Sequence, residues 1–138
     1  MYKNDLIYMT TTTSSSVSEN GQVPLTTITR RRGTTVNSTT SNTISLSKPG
    51  YYTIFGTITF TGQTTGDATI EIYKNGTTIP GGVATTTVGT ASTITYTMPI
   101  NATVRVFCGE ATANITLVNT GVAITTTNIA LNVEYEGW

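Results

Sequence analysis

The acidic residues are the side chains of this sequence that could carry acid–base chemistry. Seven Asp and Glu residues occur among 138 residues, and there is no histidine. Two pairs lie close in sequence, Asp67 with Glu71 and Glu134 with Glu136. Two carboxylates can serve a hydrolase as acid and base. Because isolated acids on strands are usually solvated, the pattern favours surface carboxylates, and a hydrolase is the weaker alternative.

Cys108 is the single cysteine, and this excludes a disulfide within the chain. Without histidine there can be no Ser-His-Asp or Cys-His arrangement and no zinc site of His and Cys. We therefore expect Cys108 to be a small buried apolar residue. The sequence predicts a protein that is not an enzyme, with no catalytic residues, no metal site and no cofactor.

Three of the four arginines are consecutive, Arg30 to Arg32, and a turn glycine, Gly33, follows them. One interpretation is a solvated turn. The other is a local salt bridge or phosphate contact, since guanidinium groups bind carboxylates and phosphates through two hydrogen bonds. Adjacent side chains on a strand point to opposite faces, so we do not expect all three to reach one ligand.

The composition is dominated by threonine, which makes up about a quarter of the chain, whereas charged residues are only 10% and the net charge is zero. Threonine is β-branched and favours strands, and its hydroxyl makes the surface of a sheet hydrophilic without adding charge. The composition predicts an all-β protein and argues against nucleic-acid binding through a basic surface. No apolar run reaches membrane-spanning length, so we expect no membrane partner. No signal peptide is evident, so secretion by a standard signal is not expected.

The strongest strand pattern lies in Ser47–Phe60, where large residues alternate along both faces. One face should enter a core, with Tyr52, Ile54, Ile58 and Phe60. The other carries Tyr51 and Phe55 and needs a partner to cover it. Gly56 interrupts the inward face. It marks either a close-packing point or a bulge, and a bulge would exchange the faces of the residues on its two sides.

Further strands follow at intervals of about ten residues, which is typical of an antiparallel β-sandwich or jelly roll. Asn75-Gly76 predicts a tight hairpin, and Pro80-Gly81-Gly82 predicts an edge strand or a bulge. We expect strands over 67–74, 83–88, 92–100, 102–108, 114–119 and 128–135. Their inward residues should complete the core with Ile70, Ile72, Val104, Val106, Leu131 and Val133.

Residues 1–20 are predicted to form an N-terminal arm, with the sandwich domain over 21–138. The arm carries one apolar patch, Leu6-Ile7-Tyr8-Met9, followed by a tract of threonine and serine with little to bury. A disordered terminus is one interpretation. The other is an extended docking arm whose patch adds to a neighbour's sheet.

The ordered set of motifs resembles a TNF-like jelly roll and the globular heads of complement-type proteins. The motifs are Pro49-Gly50-Tyr51-Tyr52 at a strand start, Phe60 at its end, Ile70–Gly76 as a strand and hairpin, and Asn128–Tyr135 as the last strand. More narrowly, the chain is similar to the threonine-rich virion proteins of tailed bacteriophages and prophages. The resemblance covers about residues 22–135.

The resemblance implies a homotrimer in which one sheet of each protomer faces a threefold axis. Burying roughly 100 Å² of each aromatic ring would contribute roughly 2–3 kcal/mol per ring. Alternatively, individual rings cover the ends of the sandwich. The residues expected at the oligomer interface are Tyr51, Phe55, Tyr73, Arg105 and Phe107.

The leading functional hypothesis is a structural virion protein, a trimeric capsid decoration or head-fibre module on the surface of the phage particle. Its arm would dock on the major capsid protein or another virion protein. The alternative is a tail-fibre module for host recognition that binds a glycan or a receptor. In that case Tyr135 or Trp138 could stack on sugars.

Overall fold

The computed structural model describes residues 4–89 and 94–137, and this part of the chain forms eleven strands. None of these residues forms a helix that is long and apolar enough to cross a membrane. The strands are β1 Leu6–Thr11, β2 Ser15–Val17, β3 Thr27–Arg32, β4 Val36–Asn37, β5 Ile44–Leu46, β6 Gly50–Gly62, β7 Gly66–Lys74, β8 Thr77–Val88, β9 Thr95–Val106, β10 Ala113–Asn119 and β11 Ile124–Gly137.

Two antiparallel sheets make up the domain. The first sheet has the order β3-β1-β11-β6-β9, and β2 pairs with β11 beside it. The second sheet has the order β4-β5-β10-β7-β8. Neighbours in the sheets are mostly distant in sequence, as in the pairing of β6 with β11. The prediction of an all-β antiparallel sandwich is confirmed.

The core lies between the two sheets and is built by the alternation that the sequence shows. On β6, Tyr52 and Phe60 are fully buried, and the Tyr52 hydroxyl donates to the backbone oxygen of Lys48 at 2.6 Å. A buried phenol needs such a partner, because an unpaired hydroxyl would lose its bond to water without replacement. Every predicted core residue is buried: Ile54, Ile58, Ile70, Ile72, Val104, Val106, Leu131 and Val133.

Gly56 is a close-packing point. Pairing of β6 with β9 runs without a register shift from Gly50 to Thr61, so β6 has no bulge and its two faces keep their alternation. A Cβ atom at Gly56 would lie 2.1 Å from the backbone oxygen of Ala130 and 2.9 Å from the Cα of Leu131. The backbone of β11 occupies the space that any side chain would need. Consequently Tyr51 and Phe55 lie on the same outward face.

The apolar patch at residues 6–9 is part of the domain, and the prediction of a separate arm is corrected here. β1 pairs with β11 on one side and with β3 on the other. Ile7 and Met9 are buried in the core, and Thr11, also buried, donates to the backbone oxygen of Pro24 at 2.8 Å. The patch alternates inward and outward positions, and its inward half completes the first sheet.

The predicted turns and edges are largely in place. Asn75 and Gly76 have φ of 51° and 82°, as a two-residue hairpin requires. β8 is an edge strand whose register shifts opposite Glu71 and Tyr73, in the region of Pro80 to Gly82. The strands expected over 92–100 and 102–108 are joined in one continuous strand, β9, over Thr95–Val106, and positions 92 and 93 lie outside the described residues.

Candidate interaction surfaces

The outward face of β6 and β9 carries large aromatic side chains that nothing in the domain covers. Tyr51 is 39% exposed, Phe55 45% and Phe107 54%. Along β6 the residues beside them on this face are threonines, for example Thr53 and Thr57, and Glu134 of β11 lies opposite Thr53. We call Tyr51, Phe55, Arg105 and Phe107 the aromatic face.

Arg105 lies between two of these rings. Its guanidinium carbon is 5.4 Å from the centroid of Tyr51 and 4.6 Å from that of Phe107. A guanidinium group stacked on aromatic rings is held there by cation–π attraction. The three side chains therefore form one ordered cluster at the end of the sheet.

A salt bridge supports this cluster from the second sheet. Lys74 Nζ lies 2.8 Å from Glu110 Oε2, donates to the backbone oxygen of Arg105 at 2.8 Å and lies 5.6 Å from the ring of Phe107. Glu110 Oε1 accepts a hydrogen bond from the backbone N–H of Phe107 at 2.8 Å. Hydrogen bonding from Lys74, and then from this N–H, lowers the pKa of Glu110 below its ordinary value of 4.5.

Tyr73, the remaining residue predicted at the interface, lies on the other sheet. It points outward from β7, where it pairs with Thr116 of β10. The structure therefore brings four of the five predicted residues onto one face and separates Tyr73 from them. The alternation along β7 predicted the outward direction correctly, but the choice of sheet depends on pairing between distant segments.

Around Tyr73 lies a groove of about 640 Å³, which we call the neutral groove and which the sequence did not reveal. Its lining is almost entirely uncharged amide and hydroxyl groups. Asn75 and Asn114 stand at one side, where Asn75 Oδ1 accepts from the backbone N–H of Asn114 at 2.8 Å. The other lining residues are Asn20, Gln22, Thr40, Thr43, Gly76, Thr116 and Val118.

A second groove, of about 410 Å³, lies on the outward face of the first sheet at its β3 edge. We call it the arginine groove, because Arg30, Arg31 and Arg32 line it together with Leu6, Tyr8 and Asn132. All three arginines of the cluster therefore reach the same groove, contrary to the expectation from strand alternation. Of the predicted docking patch, Leu6 and Tyr8 contribute to this groove, whereas Ile7 and Met9 point into the core.

The two acidic pairs lie on strands of opposite sheets, and the carboxylates of the first pair accept hydrogen bonds from threonines. Asp67 accepts a hydrogen bond from Thr87 at 3.0 Å, and Glu71 accepts bonds from Thr78 at 2.9 Å and from Thr120. Glu134 and Glu136 lie on β11, at the opposite sheet. Among residues 4–89 and 94–137, no three His, Cys, Asp or Glu side chains are grouped so that they could hold a metal ion.

Three further predictions concern single residues near the ends of strands. Cys108 is exposed, and the expectation of a buried thiol is wrong, because β9 ends at Val106 and the chain turns there. Tyr135 is not available for stacking on a sugar: its ring lies 5.0 Å from that of Tyr52, and its hydroxyl donates to the backbone oxygen of Pro49 at 2.8 Å. Trp138 lies outside the described residues.

No protein-family model matches this chain, and no curated protein matches it by sequence. Solved structures do share its fold. The chain is similar to murine APRIL, with a TM-score of 0.74 and 12% identity over 96% of this chain and 99% of that chain. It is similar to Eiger TNF from S. frugiperda, with a TM-score of 0.71 and 9% identity over 96% and 90%.

The vertex protein P5 of PRD1 is a third similar structure, with a TM-score of 0.63 and 18% identity over 95% of each chain. At these identities the likeness concerns the fold alone. Together with the strand order, it defines the domain as a TNF-like jelly-roll β-sandwich, which confirms the fold predicted from the motifs of the sequence.

Proposed function

We propose that this protein is a non-enzymatic structural protein of a phage particle and that it acts as a homotrimer. The observation that carries the proposal is the aromatic face, an ordered cluster of exposed rings at the β6–β9 side of the first sheet. Exposed apolar clusters of this kind mark surfaces that are covered in an assembly.

The energetics of the face suit an obligate interface. If each of Tyr51, Phe55 and Phe107 lost roughly 100 Å² of exposed apolar surface, each would contribute roughly 2–3 kcal/mol. A closed ring of three protomers repeats that gain at three interfaces. The zero net charge of the chain leaves little electrostatic repulsion to oppose association.

The proposed location is the surface of a virion, with the major capsid protein or another virion protein as the partner. Support comes from the likeness to a protein described as a vertex protein of PRD1, and from the threonine-rich, weakly charged composition. A structural role also fits the acids of the two sheets. Asp67 and Glu71 accept hydrogen bonds from neighbouring threonines and hold strand surfaces together.

The oligomeric state is tested by light scattering on the purified chain after gel filtration. The expected mass is about three times that of the 14.6 kDa chain at micromolar concentration. A mass of one chain under these conditions contradicts the trimer. The location is tested by labelling purified particles with an antibody against the protein and imaging them. Particles that carry no label, from a host that expresses the protein, contradict the virion role.

A recognition module is the second candidate function, and the neutral groove is the observation that favours it. Amide and hydroxyl groups around one aromatic ring can bind the hydroxyls and the apolar face of a neutral sugar. A glycan array would test this candidate, with Tyr73→Ala as the variant that should lose the hits. Hits that Tyr73→Ala retains, or an array without specific hits, contradict a recognition role for this groove.

A further inference from the structure

The arginine groove concentrates the positive charge of this protein. Arg30 pairs with Tyr8 and Arg32 with Leu6 across β3 and β1, and these four side chains therefore share the outward face. Arg31 pairs with Ile7, yet it lines the same groove, and its Nη1 donates to Asn37 Oδ1 at 2.6 Å. Three of the seven cationic side chains of the chain thus surround one depression.

These guanidinium groups hold ample hydrogen-bonding capacity. Arg30 Nη1 donates to the backbone oxygen of Thr29 at 2.8 Å, and Arg32 Nε donates to the backbone oxygen of Asn4. Each guanidinium has five N–H donors in all. Within the described part of the chain, the one salt bridge joins Lys74 to Glu110, so no carboxylate pairs with the three arginines.

Among the described residues, Glu134, the acid on β11 beside this groove, forms no salt bridge with the three arginines. Glu134 of β11 lies opposite Leu6, which in turn lies opposite Arg32, so two strand spacings separate the acid from that arginine. Neighbouring strands lie about 4.8 Å apart, which places the two backbones about 10 Å from each other. Three like charges in contact with one groove are stabilised by an anion placed among them.

The other residues that line the groove indicate which further chemical groups the anionic ligand has. Tyr8 and Leu6 offer apolar surface, and Asn132 offers an amide that can donate and accept. Charge alone on the edge strand β3 would serve to prevent pairing with another sheet. That role requires neither a groove of about 410 Å³ nor an aromatic ring within it. The volume lies in the range of small-molecule sites.

We propose that the arginine groove binds an acidic monosaccharide, a sugar ring that carries a carboxylate or a phosphate group. The guanidinium groups of Arg30, Arg31 and Arg32 bind the oxyanion. The ring of Tyr8 packs against the apolar face of the sugar, and the amide of Asn132 bonds to a hydroxyl. One protomer forms the whole groove, at the β3 side of the first sheet, whereas the aromatic face lies on β6 and β9 at the other side.

Calorimetric titration of the full chain at low ionic strength tests the proposal with four ligands. Glucuronic acid or glucose 6-phosphate, or both, should bind at least tenfold more tightly than glucose. Which of them binds identifies the oxyanion as a carboxylate or a phosphate. Inorganic phosphate should bind at least tenfold more weakly than the sugar that binds best. Absence of saturable binding by either acidic sugar overturns the proposal, and so does equal affinity for glucose or for inorganic phosphate.

Variants test the assignment of residues. Arg30→Gln and Arg32→Gln should each weaken binding of the acidic sugar at least fivefold, and Tyr8→Ala should weaken it as well. Lys74→Gln removes the same charge from the second sheet and should leave the affinity within twofold. Circular dichroism of each variant confirms that it is folded. Unchanged affinity in folded Arg30→Gln and Arg32→Gln, or an equal loss in Lys74→Gln, overturns the assignment.

Discussion

Tyr51 and Arg105 lie directly opposite each other on β6 and β9, and the guanidinium carbon is 5.4 Å from the centroid of the tyrosine ring. The same guanidinium contacts the ring of Phe107. A charged group that orders two exposed rings reduces the conformational entropy that a partner would have to remove on binding. This pairing is why the aromatic face, rather than the neutral groove, is proposed as the oligomer interface.

The first prediction concerns the two outward aromatic positions on opposite sheets. Phe55→Glu places a carboxylate in the proposed interface, where it would be desolvated without a partner, so the oligomer should dissociate to single chains. Tyr73→Glu introduces the same group on the second sheet and should leave the mass unchanged. Sedimentation velocity at several concentrations measures both. A Phe55→Glu protein with the mass of the unaltered oligomer, or a Tyr73→Glu protein that dissociates, argues against this face as the interface.

The second prediction concerns β1, whose inward residues belong to the core. Ile7→Ala removes a fully buried side chain and should lower the free energy of unfolding by about 2–5 kcal/mol. Leu6→Ala, one residue earlier and pointing outward, should cost about 1 kcal/mol or less. Urea denaturation followed by fluorescence measures both. Equal small losses for the two variants would mean that residues 6–9 do not contribute to the core and would favour a separate arm.

The core of the long strand could be predicted because its pattern is local. Tyr52 and Phe60 alternate with threonines, and an alternation of period two predicts a strand with one buried face. The hairpin at Asn75 is local in the same way, since its two residues must adopt positive φ. β1 lacked that contrast: its outward residues Leu6 and Tyr8 are as apolar as its inward ones. Four apolar residues therefore looked like a patch rather than an alternation.

Other features depend on segments that are far apart in the chain. Tyr73 points outward as predicted, but the sheet to which it belongs is set by pairing with β10, about forty residues later. Arg30 of β3 and Asn132 of β11 line the same groove because β1 pairs with both strands, and Tyr8 lies opposite each of them. Cys108 is exposed because the chain turns after Val106, where Glu110 N–H donates to the backbone oxygen of Phe107 at 3.0 Å.

The third prediction concerns Gly56. Gly56→Ala would place a methyl group 2.1 Å from the backbone oxygen of Ala130, and backbone cannot move aside as a flexible side chain can. The variant should lose about 2–3 kcal/mol of stability, or fail to fold, through overpacking between β6 and β11. Thr57→Ala, at the next position and pointing outward, should change stability by about 0.5 kcal/mol. Chemical denaturation of both proteins provides the measurement, and a Gly56→Ala protein as stable as Thr57→Ala would contradict this packing.

The fourth prediction is a pH dependence that comes from Glu110. Lys74 and the N–H of Phe107 lower the pKa of Glu110 below 4.5 in the folded state. A carboxylate with a lowered folded pKa stabilises the protein above its unfolded pKa, and the contribution disappears as the pH falls through the folded pKa. Glu110→Gln should therefore be less stable than the unaltered protein at pH 6, by roughly 0.5–1 kcal/mol. The difference should shrink as the pH is lowered through and below about 4.

Melting temperatures between pH 2.5 and 7 measure this difference in stability, with Glu19→Gln as the control for loss of one negative charge from an exposed turn. A difference that is the same at pH 3 and pH 6, or one that Glu19→Gln reproduces, would show that the interactions of the Glu110 carboxylate do not stabilise the folded protein.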